Sequence, residues 1–175
     1  MARDEYDRFR KEEPDTLTDI QRAVRFYYLL KAGYAAKIVN PTFNIAPSSR
    51  PRLNLLRIEE ELSEIHLRLS RVYIENRPYE TIIKRYDRPD TFFYCDPPYY
   101  GFEDYYGSGI FNRNDFRKLR GVLAKISGKF IVSINDHKEI RNIFNQYNIE
   151  AVDTKYTAGG GNKSKQVKEL LITNF

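Results

Sequence analysis

Residues Asp96-Pro97-Pro98-Tyr99 end an apolar run, Thr91-Phe92-Phe93-Tyr94-Cys95, and bring together groups suited to one kind of chemistry. The run reads as a buried strand, and the two prolines stop it because neither can donate to a sheet ladder. Past the strand end the chain presents a carboxylate, a stiff backbone with an outward carbonyl, and an aromatic ring. That set can hold a flat base bearing an exocyclic amine, a poor nucleophile because its lone pair is delocalised into the ring. Asp96 and the Pro97 carbonyl can accept hydrogen bonds from both amine protons and act on charge that develops as a new bond forms. Tyr99 offers a face for a base taken out of its stack, worth about 1–3 kcal/mol. The bland alternative is punctuation, since aspartate before proline is a common turn former. The strand in front favours the base-binding reading, because a short motif takes its meaning from its surroundings.

The elements that must position this turn follow from periodicity. In the second half, a strand over Thr91–Cys95 precedes a long aromatic loop and a helix from about Asp115 to Ile126. A strand over Lys129–Ile134, a helix near Lys138–Tyr147 and two last strands, Ile149–Lys155 and Val167–Asn174, complete it. Strand-helix-strand alternation predicts an α/β fold whose mainly parallel sheet ends in an antiparallel C-terminal edge. In the first half, Ile20, Ala23, Val24, Tyr27 and Leu30 fall at helical spacing before Gly33, placed as a C-cap. A frayed or exposed helical start precedes them. Tyr34 to Arg52 reads as loop or irregular hairpin. Asn54 is placed to cap a second helix carrying Leu55, Ile58, Leu62, Ile65 and Leu69. A short strand over Arg71–Glu75 follows, and Pro78 opens a helix ending near Tyr86. Ligands of such sheets bind at the carboxyl ends of the strands, where the Asp96 turn would sit.

Nine aromatic residues lie between Phe92 and Phe111, and of these Phe92, Phe93 and Tyr94 read as core. Tyr100, Phe102, Tyr105, Tyr106 and Phe111 alternate with Gly101, Gly107 and Gly109. Two readings stand for them: a mobile lid closing over a nucleotide, or rings tucked back onto the domain. Across 175 residues, 41% apolar content and 14 Tyr with 11 Phe argue against disorder. The single Cys95 cannot form an internal disulfide, which fits a cytoplasmic location. No stretch approaches the ~18 apolar residues of a membrane span, so no membrane partner is expected. With two histidines and one cysteine, Asp136 and His137 read as loop or helix-cap residues, and no metal is expected. A net charge of +5 is compatible with a nucleic-acid partner.

The Asp-Pro-Pro-Tyr turn, with several segments in order around it, resembles the Dam-like (D12 class) DNA adenine-N6 methyltransferases. Arg22-Ala23-Val24-Arg25-Phe26-Tyr27-Tyr28-Leu29 is similar to the helix leading into that family's target-recognition region. Asn40-Pro41-Thr42-Phe43-Asn44-Ile45-Ala46 is similar to a shortened version of that region's hairpin. Phe130 to His137 resembles the next core strand and its asparagine turn, and Gly159 to Ile172 the lysine-bearing loop and closing strand. The resemblance implies a partial Rossmann-like, S-adenosylmethionine-dependent methyltransferase fold with a helical and loop target-recognition segment. It implies residues 1–55 as remnant of that DNA-binding segment and 56–175 as the catalytic part. The implied reaction is methyl transfer from S-adenosylmethionine to adenine N6 in double-stranded DNA. Asp96, Pro97, Pro98 and Tyr99 carry over as catalytic, with Asp96 also bordering the cofactor. Tyr100 and Asn135 carry over as nucleic-acid contacts. Arg50, Arg52, Lys163 and Lys165 are placed to bind phosphates, or else are plain solvated charges.

One departure matters. In that family a glycine-rich turn after the first strand holds the cofactor, and an acidic residue after the next strand takes the ribose hydroxyls. Here Gly33 is the only glycine before Gly101, and it reads as a helix end. Gly159-Gly160-Gly161 leads into a strand, and Gly107-Ser108-Gly109 follows no strand. The expectation is a chain starting downstream of the cofactor turn. Three explanations stand: a split or truncated gene whose separate N-terminal methyltransferase fragment supplies the cofactor site, an inactive remnant, or a non-catalytic DNA- or base-binding module. Methylation of a base amine in RNA is a further alternative, opposed by aspartate at the first motif position.

Overall fold

A computed structural model describes residues 2–34, 42–45, 52–107, 109–156 and 165–175, with the side chains of Tyr106, Lys155, Tyr156 and Lys165 outside that description. The chain divides into two compact units, Met1–Glu75 and Asn76–Phe175.

Among its described residues the first unit holds three α-helices: α1 (Arg3–Lys11), α2 (Asp19–Ala32) and α3 (Ile58–Leu69). Thr18 opens α2 with a capping box, its hydroxyl meeting the Gln21 amide while the Gln21 side chain reaches back. Gly33 ends α2 in extended backbone. Glycine is required there by close approach, since a Cβ would lie 2.5 Å from the Leu29 carbonyl oxygen. The helical start is exposed along most of its length, as expected, and anchored at one point: Tyr6 of α1 is fully buried with Leu29 and Ala32, and its ring meets Phe43 edge-on. A mostly charged helix can do this because one large ring, correctly spaced, anchors it. Within the described residues of the expected loop or hairpin, Gly33 and Phe43 form an isolated bridge and the Tyr34 amide donates to the Thr42 carbonyl at 2.7 Å, while residues 35–41 and 46–51 lie outside the described residues. Asn54 caps the turn before α3, its side chain accepting from the Leu56 amide. No residue of α3 is buried. The strand expected over Arg71–Glu75 is absent, and those residues carry no ladder. An apolar β-branched run makes a strand only where a neighbour supplies hydrogen bonds.

The second unit contains α4 (Tyr79–Tyr86), β1 (Phe92–Cys95), α5 (Arg113–Leu123), β2 (Lys129–Asn135), α6 (Lys138–Ile143), β3 (Asn148–Tyr156) and β4 (Lys165–Thr173). Asn112 opens α5 with a capping box closed by Asp115. The four strands lie in the order β1-β2-β4-β3. Only β1 and β2 pair in parallel, while β4 runs antiparallel to both β2 and β3. The fold is therefore mixed α/β, and the expectation of a mainly parallel sheet is corrected. The physical reason is the helix-free link between the last two strands. Strand β4 folds back beside β3 and inserts next to β2, so the parallel neighbours that α6 would have joined are separated.

One face of the sheet carries the core. Phe130, Val132 and Ile134 of β2 and Leu170 and Ile172 of β4 pack with Phe116, Leu119 and Leu123 of α5, Ile140 of α6 and Ile83 of α4. On β1 the residues alternate, and Phe93 and Cys95 face this core. Phe92 and Tyr94 are 53% and 63% exposed, so the reading of both as core is corrected. In a strand successive side chains point to opposite faces, and the helices cover only one. Gly128, entering β2, has no room for a Cβ, which would lie 2.6 Å from the Thr91 carbonyl oxygen. The Asp87 carboxylate fixes the same approach by accepting from the Ser127 and Gly128 amides.

Candidate base-binding site

The Asp96 turn leaves the carboxyl end of β1 beside the end of its parallel neighbour β2. Tyr99 to Phe102 forms a turn closed by the Phe102 amide donating to the Tyr99 carbonyl at 2.9 Å. Its third residue has positive φ, and Gly101 supplies it at 89°. The Gly101 amide donates to Glu103 at 3.0 Å. Asn135, the last residue of β2, grips the turn from the other side. Its side chain accepts from the Tyr100 amide at 2.8 Å and donates to the Tyr100 carbonyl at 3.1 Å. Both polar backbone groups of Tyr100 are thereby satisfied by one primary amide.

The Tyr100 ring is stacked on His137, centroids 4.1 Å apart and planes at 22°. It also meets Phe116, with the Arg113 guanidinium over its face. His137 is the N-cap of α6, its Nδ1 accepting from the Glu139 amide. Asp136 forms a two-pronged ion pair with Arg141, at 2.7 and 2.8 Å. The Arg141 guanidinium holds the Asp136 carboxyl below its ordinary pKa. The turn after β2 is thus a built platform, in which Asp136 and His137 are the loop and helix-cap residues expected.

The turn after β1 is different. The Asp96 carboxylate meets no hydrogen-bond donor or cation among the described residues, and the residue faces solvent. Partial burial, then the charge of Glu169, push its pKa up from the ordinary value. The Tyr99 hydroxyl donates to the Glu169 carboxylate, which projects from β4. Glu169 is absent from the candidates read in sequence. Seventy positions separate it from Tyr99, and in sequence it is one charge within a strand. Beside the turn, burial raises the Cys95 thiol to about 11, which keeps it protonated at neutral pH and unsuited to nucleophilic work.

The remaining candidates scatter. Arg52 is exposed in the first unit. Arg50, Lys163 and the triple glycine lie outside the described residues, as does the side chain of Lys165. In the aromatic loop, Phe111 is buried against Phe116 and Tyr100 is packed as described, so these two rings are tucked back. Phe102 and Tyr105 stay exposed. Among the described residues no three His, Cys, Asp or Glu side chains converge as a metal site, and no helix is long and apolar enough to cross a membrane.

Residues 1–158 match the family model of the D12 class N6 adenine-specific DNA methyltransferase. That span covers both units up to the end of β3, and the chain belongs to this family. Enzymes of the family transfer methyl groups to DNA adenine, and methyltransferases of this kind generally use S-adenosylmethionine.

Proposed function

We propose that this chain binds the target adenine of a duplex-DNA N6-methylation reaction through Asp96, Pro97, Pro98 and Tyr99, in the cytoplasm. The observation that carries the reading is the uncommitted Asp96 carboxylate at a strand's carboxyl end, next to a tyrosine held by its hydroxyl. A carboxylate without a protein donor, kept partly out of water, is a strong acceptor for an amine proton that arrives with a base. The Pro97 carbonyl takes the second proton. Proline's fixed φ keeps that acceptor ordered before binding, so little is spent on ordering it. Two acceptors on one amine favour the pyramidal nitrogen whose lone pair can attack. Tyr99 offers its ring to the extruded base. Tyr100 and Asn135, first read as nucleic-acid contacts, fit better as the support of this turn, since their ring and amide groups are already engaged.

The methyl donor fits the described residues in part only. Bound S-adenosylmethionine supplies an electrophilic methyl group, and Asp96 would border it. A glycine turn opening a helix after a strand has no counterpart among them. Gly101, Gly107 and Gly109 lie around the aromatic loop, Gly121 lies inside α5, and Gly33 and Gly128 are packing positions. The ribose-binding acid has no counterpart either. We therefore derive no step through the cofactor, and assign its site to a further methyltransferase segment. The first unit, with residues 1–55 as its expected recognition remnant, would contact DNA, with Arg50, Arg52, Lys163 and Lys165 as phosphate binders. The lack of such a glycine turn among the described residues also favours a second reading, a non-catalytic module that binds an extruded base.

Two measurements separate these. Calorimetric titration of the isolated chain with S-adenosylmethionine is expected to give weak or no binding. Micromolar affinity would sink the divided-site reading. Methyl transfer to duplex DNA, assayed with a complementing segment that carries the glycine turn, is expected to fall by about 100-fold or more in Asp96→Ala. Undiminished transfer by that variant would remove Asp96 from the mechanism.

A further inference from the structure

We propose that Glu169 is a positioning residue for the base-binding turn, acting through the Tyr99 hydroxyl; the inference rests on the base-binding reading above. Glu169 of β4 and Asn135 of β2 are direct cross-strand partners in the antiparallel ladder. Directly opposed residues put their side chains on the same face, about 5 Å apart. From that one rung, Asn135 holds both backbone groups of Tyr100, and Glu169 accepts from the Tyr99 phenol. Two consecutive residues of the turn are thereby tied to two adjacent strands, one through its backbone and the other through the tip of its ring.

The consequence for Tyr99 is orientational. A turn residue holds its backbone in place but leaves the ring free to change rotamer, and a ring that swings cannot offer a defined face to a base. Anchoring the hydroxyl removes that freedom before binding, which is where preorganisation gains affinity. The same carboxylate lies close enough to Asp96 to raise its pKa. Glu169 thus orients the base-facing ring of the turn without needing to touch the base.

The test uses the full chain and a DNA duplex carrying 2-aminopurine opposite an abasic site, a base that costs little to extrude. Fluorescence enhancement reports capture of the base. Glu169→Ala is expected to weaken capture about tenfold, and Glu169→Gln, which keeps an acceptor for the phenol, to restore most of it. Tyr99→Phe should match Glu169→Ala, and the double variant should be no worse than either. A melting cycle on the same four proteins gives the second readout, with each single variant lowering Tm by roughly 3 °C and the double by no more. Additive effects in both readouts, or full capture by Glu169→Ala, overturn the role of Glu169 alone. Wild-type protein that never enhances the fluorescence, yet shows the non-additive melting cycle, overturns the base-binding reading and the positioning role with it.

Discussion

Strands β1 and β2 run side by side in parallel, Cys95 opposite Val132 and β2 continuing to Asn135, but the turns that leave them treat an aspartate in opposite ways. After β2, Asp136 is paired twice with Arg141, His137 caps α6, and Asn135 is spent on the neighbouring turn. After β1, Asp96 has no donor among the described residues, and burial with the charge of Glu169 raises its pKa. One carboxylate is lowered and the other raised, although both sit at strand ends of the same sheet. A satisfied acid stabilises a fold, whereas an unsatisfied one at a rigid position is available to a ligand. Under the proposed function, the β2 turn is the scaffold and the β1 turn the surface that meets the base.

The contrast can be broken most severely at Asn135. Asn135→Ala removes both bonds to the Tyr100 backbone and leaves part-buried groups unpaired, so a loss of about 2–3 kcal/mol in chemical unfolding is expected. An unfolding midpoint equal to wild type would mean the β2 turn supports nothing. Gly101→Val strains the turn between them, because a β-branched residue resists φ of 89°. It should cost about 1–3 kcal/mol, while Gly101→Asn, tolerant of positive φ, should cost less. Equal destabilisation by both would argue that space and not φ requires glycine there.

Two smaller effects test the opposite signs directly. The depressed pKa of Asp136 means its contribution is fully present above the unfolded value and is lost as pH falls through the folded one. Arg141→Met should therefore lower Tm at neutral pH, with the gap to wild type closing below the ordinary aspartate value of 3.8. A gap that persists in acid would trace the loss to packing. For Asp96 the sign reverses. Its raised pKa means the folded state binds the proton more readily, so ionisation weakens the fold as pH rises through the folded value. Asp96→Asn should leave Tm unchanged or slightly higher at neutral pH, even as base capture falls. A clear loss of Tm would show that Asp96 has a structural partner.

Much of this was legible in the sequence. The strand before the prolines, the capped α5, the helix after Pro78 and the closing strand pair all have periodicity or end signals that local physics enforces. The end of β1 at Cys95 was legible because the two prolines after an apolar run cannot continue a ladder. The failures have a common cause. Phe92 and Tyr94 look like core in an apolar run, and the 71–75 segment looks like a strand, until the neighbours that would cover or pair them are counted. The aromatic loop read equally well as lid or packing, and its rings divide: Tyr100 and Phe111 pack, while Phe102 and Tyr105 do not.

The sequence by itself determined the family and most element positions, because each depends on residues close together along the chain. Tertiary structure alone decided the strand order, the bonding of Asn135 to the Tyr100 backbone, and the presence of Glu169 beside Tyr99. The strand order and the place of Glu169 depend on β4 inserting between β2 and β3, and the Asn135 bond on β2 pairing with β1, events set by long-range pairing that no local pattern encodes.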